Sequence, residues 1–101
     1  GIKTDIAGYW TTKRVQIGVK ELLPGASLRV CSHSPDGFNW GYGGSGPAQL
    51  ALAILLEVTR DERFSVSHHQ AFKWDVIARL PTDNFTLPIK DVHLWLKKER
   101  R

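Results

Sequence analysis

Phe38-Asn39-Trp40-Gly41-Tyr42-Gly43-Gly44-Ser45-Gly46-Pro47-Ala48-Gln49-Leu50-Ala51-Leu52-Ala53-Ile54-Leu55-Leu56 is the stretch whose two halves decide the fold. Glycine fills four of the six positions 41–46. That density costs chain entropy and is tolerated where backbone must take left-handed angles or lie close to something else. From Pro47 to about Thr59 the pattern changes to an almost unbroken apolar run. A helix that is apolar all round belongs in the centre of a protein. The start of this helix has its own logic: Ser45 is expected to cap free amides, Gly46 permits a sharp entry, and Pro47 has no N–H to lose in the first turn. The segment reads as a strand-to-helix corner feeding a buried helix over residues 47–59.

Towards the N-terminus the chain reads as strands, spanning about residues 6–40. Ile6 to Trp10 is short and rich in large side chains, and Arg14 to Val19 alternates polar with apolar, the period of a half-buried strand. Thr11-Thr12-Lys13 joins them as a hairpin. Leu23-Pro24-Gly25 is a turn. A third strand is expected from Ala26 to Cys31, and a short fourth at Phe38-Asn39-Trp40 after the turn His33-Ser34-Pro35-Asp36-Gly37. Tight turns between short strands suggest an antiparallel meander.

Towards the C-terminus the period becomes helical. His69, Phe72, Val76 and Leu80 make one stripe of a helix over 65–80, which Pro81 ends. Arg60-Asp61-Glu62-Arg63 reads as a solvated charged link. The last helix starts near Thr86-Leu87-Pro88 and runs over about 88–98, with Ile89, Val92, Trp95 and Leu96 as its buried stripe. The expected fold class is therefore α+β. A small antiparallel sheet of three to four strands packs on one buried helix, with two further helices, in a single domain over residues 1–101.

Bulk composition agrees. Of 101 residues, 42% are hydrophobic and 24% charged, the balance of a globular chain. No apolar run reaches the roughly 18–20 residues of a membrane span, so no membrane partner is expected. Cys31 is the only cysteine, which excludes an intrachain disulfide and a cysteine-based zinc knuckle. It reads as a buried strand cysteine in a cytoplasmic protein. The net charge of +4 sits largely in a basic tail over 97–101, with Lys97, Lys98, Arg100 and Arg101 around Glu99. Charge held in a tail is a weaker nucleic-acid signal than a basic face.

Candidate chemistry is sparse. A Walker loop needs Lys-Ser/Thr after its last glycine, and here Pro47-Ala48 follows Gly46. A dinucleotide fingerprint needs a βαβ unit, whereas the next element is helical. His68 and His69 are neighbours on one helix, about 100° apart, and cannot both face one ion. His33, Ser34 and Asp36 sit in one turn and do not make a triad. No cofactor, metal or catalytic residue is expected, and the chain does not read as an enzyme.

Phe38 to Leu55, together with His69-Gln70-Ala71-Phe72-Lys73 and Ala78-Arg79-Leu80-Pro81, resembles the signature of a small family of unknown function from bacteria and their phages and mobile elements. The resemblance spans residues 36 to about 95 and carries no activity. It implies a cytoplasmic accessory protein. The reading that follows is a non-enzymatic binding module. It contacts a protein partner through Tyr42, Gly43, Gly44 and Ser45, with Trp40 and Gln49 as supports. One alternative is a nucleotide or anion site on the amides at the helix N-terminus. Another is a weak nucleic-acid surface of Lys13, Arg14, Lys97, Lys98, Arg100 and Arg101, where cations stand near Tyr9 and Trp10.

Overall fold

A computed structural model describes residues 5–34 and 37–99. The first strand, β1 (Asp5–Tyr9), pairs antiparallel with β2 (Arg14–Ile17), joining Ile6 to Ile17 and Gly8 to Val15. Lys13 takes a left-handed φ of 60° in the connecting turn. Gly18, also at φ 60°, then reverses the chain into β3 (Lys20–Leu22). The strand expected to run to Val19 therefore ends at Ile17, and Val19 is fully exposed in the reversal. A fourth strand, β4 (Phe85–Pro88), comes from the far end of the chain and pairs with β1, so the sheet order is β3-β2-β1-β4. Its ladders are all antiparallel.

Alternation along these strands sends Ile6, Val15, Leu22, Phe85 and Leu87 into the core, while Asp5, Tyr9, Arg14, Glu21 and Thr86 stay exposed. One face of the sheet is thus solvated, and the helices cover the other. The helices are α1 (Gly25–Val30), α2 (Ser45–Thr59), α3 (Glu62–Asp75) and α4 (Ile89–Glu99), with a 3₁₀ turn at Ile77–Arg79. The α+β class and the four-stranded antiparallel sheet agree with the sequence reading. No helix among the described residues is long and apolar enough to cross a membrane.

α2 is the centre of the protein, as its composition required. Every residue from Gly46 to Leu55 is buried. Leu50, Leu52, Ile54 and Leu55 are each 0% exposed, and complete burial of such a side chain contributes about 1.5–3 kcal/mol. Leu50, Ile54 and Leu55 join Ile6 and Val15 from the sheet, Phe72 from α3, and Val92 and Trp95 from α4 in one cluster.

Four sequence expectations need correction. Ala26–Cys31 is not a strand. Pro24 sits in helical geometry, Leu28 N–H and Ser27 Oγ both bond its carbonyl, and the segment winds into α1. The alternation of Leu28-Arg29-Val30-Cys31 was overruled by local hydrogen bonding and by burial of Ser27. Phe38–Trp40 is no strand either; it runs outside the sheet, though both aromatics are buried. The missing strand is β4, where a helix start was expected at Thr86–Pro88. Finally, the helix over 65–80 is α3 over 62–75 followed by the 3₁₀ turn. Its start lies inside the charged link, because Asp61 is an N-cap that accepts from Phe64 N–H at 3.0 Å.

Candidate functional site

The corner between Trp40 and α2 is shaped from both sides. Beneath it, Trp40 is fully buried, crosses the rings of Trp10 and Phe85 edge-on at 5.7 and 4.8 Å, and donates from its indole to the Asp83 carbonyl at 2.9 Å. Gly41 then turns the chain at φ 84°, an angle that side-chain-bearing residues rarely adopt, and donates to the Ile77 carbonyl at 3.1 Å.

Above the corner lie two aromatic rings. A methyl group on Gly43 would collide with the indole of Trp74, and one on Gly44 with the ring of Tyr42. With these rings placed as they are, a side chain at either glycine would displace one of them: consecutive stretches of bare backbone each carry a ring. Neither ring is sealed in. Tyr42 is 49% and Trp74 58% exposed, and Ser45 is exposed beside them.

Ser45 does not cap the helix. It is the first helical residue of α2; Gly44 is the N-cap, with no side chain to bond the free amides. No acidic residue stands in the first turn. The amino end of a 15-residue helix is left without the oxygen acceptors that usually close it.

Gln49, expected as a support, is a buried clip rather than a contact residue, at 0% exposure. Its Oε1 accepts from the amides of His33 at 2.6 Å and Ser34 at 3.0 Å. Its Nε2 donates to Ser27 Oγ at 2.9 Å and the Cys31 carbonyl at 3.1 Å. Every donor and acceptor of the amide is used, and the loop after α1 is held against α2.

That clip aims His33 at α3. His33 Nε2 lies 2.8 Å from His69 Nε2 and 3.4 Å from Cys31 Sγ. His69 Nδ1 donates to the Val66 carbonyl at 2.7 Å, so His69 Nε2 is the acceptor of the pair and His33 Nε2 the donor. One turn further along α3, Lys73 is only 7% exposed. Its ammonium meets the Gly43 carbonyl at 3.4 Å and the Trp74 ring at 4.3 Å, and no carboxylate among the described residues pairs with it. Burial, with the charges of His69 and Lys73 adding to it, pushes the His33 pKa below its ordinary value of 6.5.

The remaining candidates lie elsewhere. Lys13 is folded onto its own hairpin, 3.0 Å above the Trp10 ring and bonded to the Trp10 carbonyl. Arg14 pairs across the sheet with Glu21 at 3.4 Å. Lys97 and Lys98 are exposed on the last turn of α4, whereas Arg100 and Arg101 lie outside the described residues. His68 stacks on Phe64 at 4.1 Å. No group of three or more His, Cys, Asp or Glu among the described residues is placed to hold a metal ion. A groove of about 520 Å³ runs between β3, α1 and α2 over Leu22, Ala53 and Leu56, but Lys20 and Arg60 on its rim both already pair with Glu57.

Sequence reasoning missed Trp74, Lys73 and His33. Trp74 and Gln70 fall off the apolar stripe of α3, and a tryptophan on the polar face of a helix was the available signal. Nothing local announces the meeting of His33 with His69.

A one-sided sheet under helices, an uncapped central helix and two exposed rings on bare backbone define a class: a two-layer α+β protein with an open helix end. The chain belongs to a family of unknown function, DUF6166, whose profile matches residues 7–98. No curated protein and no solved structure matches it.

Proposed function

We propose that this chain is a non-enzymatic binding module that engages a protein partner at the glycine corner. The supporting observation is that Tyr42 and Trp74, both about half exposed, rest on the consecutive glycines 44 and 43. Large, stiff aromatic rings give contact area at low entropic cost, and tryptophan and tyrosine dominate interface energetics. Ser45 and the amides around it supply polar contacts at the rim. Trp40 supports the corner from below, while Gln49 holds the neighbouring loop after α1 against α2. The reading includes a phage or mobile-element accessory role in the cytoplasm; the single cysteine fits a reducing compartment.

The experiment is site-specific photo-crosslinking in the host cell from position 45, with position 16 on the outer sheet face as the control. A partner captured from position 45 alone is then titrated against Tyr42→Ala and Trp74→Ala. Loss of binding by about tenfold or more in each folded variant is expected. The same capture from both positions, or undiminished binding by Trp74→Ala, would overturn the reading.

A further inference from the structure

Charge around the glycine corner is one-sided. Lys73 is nearly buried, yet its neighbours are a carbonyl and a ring. Lysine is rarely buried without a counter-charge. His69 stands one helical turn away on the same face of α3, 4% exposed, and His33 bridges to it from the loop. Among the described residues His33 Nδ1 has no partner, and its ring is half-buried, so this atom is the cluster's opening to solvent. The Gly43 carbonyl ties the cluster to the corner itself.

We infer that the partner presents an oxyanion, and that the basic cluster of His33, His69 and Lys73 receives it beside the corner. The inference rests on the binding reading above and names the chemistry that the partner must carry. A carboxylate or phosphate oxygen accepts from protonated His33 Nδ1, while Lys73 supplies fixed positive charge behind it. His33 can take that proton without losing His69, because the Nε2–H that it donates is unchanged. The positive end of α2 adds to the same field. A single anionic group suits the site better than a nucleic-acid strand, because Arg14, Lys20 and Arg60 already have carboxylate partners and are not free to follow a phosphate backbone.

Proton uptake makes the binding pH-dependent. The groups facing His33 are His69 and Lys73 from α3 and Cys31 from its own loop; α2 contributes only the uncharged Gln49. A bound anion offsets the positive charge of Lys73 and raises the His33 pKa, so affinity increases on acidification.

The test is an amide and imidazole NMR titration of the full chain, with inorganic phosphate and a glutamate-rich peptide as separate probes and chloride holding ionic strength constant. Expected are saturable shifts at Ser34, Gly43 and the His33 ring, tightening on acidification, with affinity about tenfold weaker in Lys73→Met and retained in Lys73→Arg. His93→Gln, on the exposed face of α4, should bind as the parent does. The probe that saturates identifies the source of the oxyanion. Shifts that track chloride equally, or that persist in Lys73→Met, overturn the inference. Because that variant keeps Tyr42 and Trp74, partner capture that survives while phosphate and peptide both fail removes the oxyanion and leaves the binding reading standing. Loss of capture in Tyr42→Ala with phosphate binding intact supports both.

Discussion

The two ends of α2 are built to opposite rules. At the carboxyl end, Arg60 takes a left-handed φ of 55° and its amide closes on the Leu56 carbonyl at 3.0 Å. Thr59 Oγ1 bonds the Leu55 carbonyl at 2.7 Å, and Arg60 Nε bonds that of Glu57 at 3.2 Å. Asp61 then opens α3 with a side-chain cap. The carbonyls of Leu55, Leu56 and Glu57 are thus all engaged within the chain. At the amino end there is no side-chain cap and no acidic residue, and two rings stand in water. A glycine N-cap forgoes only a few tenths of a kcal/mol relative to a capping side chain. One end is closed by side chains, whereas the other has a glycine for its N-cap and no side-chain cap.

The sharpest way to break this contrast is below the open end. Gln49→Leu removes the clip and strands two amides, a carbonyl and a hydroxyl, so a loss of about 3–4 kcal/mol is expected in urea denaturation. A loss below ~1 kcal/mol would mean that the loop after α1 is held by something else. At the closed end, Asp61→Ala should cost about 1 kcal/mol with little effect on phosphate or partner binding.

A smaller effect separates the ends by pH. The folded protein holds the His33 pKa below 6.5, so the unfolded chain takes up that proton first on acidification. The stability that this contributes is complete above about pH 6.5 and is lost as pH falls through the folded-state value. His33→Gln should flatten that part of the stability profile, and an unchanged slope would remove His33 as its cause. Least of all, Trp74→Ala should shift stability by no more than about 0.5 kcal/mol, since the ring is mostly in water. A large loss there would recast the ring as core.

The same contrast explains what the sequence revealed. α2 was legible because its signals are local: an apolar run, a proline near its start and glycines before it all lie within about twenty residues. The corner's exposed residues Tyr42 and Ser45 were legible for the same reason. α1 was misread because Leu28 to Cys31 satisfies a two-residue period while Pro24 and Ser27 supply the hydrogen bonds of a helix. Thr86–Pro88 read as a helix start until β1 was available to pair with it across the chain. The basic cluster was invisible for a related reason. His33 and His69 are 36 residues apart, and only the buried amide of Gln49 orients one towards the other.

The place of β1 between β2 and β4 has a consequence for synthesis. One edge of β1 is satisfied almost at once by the hairpin to Val15, but the other waits for Leu87 to pair with Ile6. A nascent chain that has released α2 and α3 still carries an open strand edge above a half-covered core, the condition in which chains pair with the wrong neighbour. Until Phe85–Pro88 leaves the ribosome, the second edge of β1 has no strand to pair with.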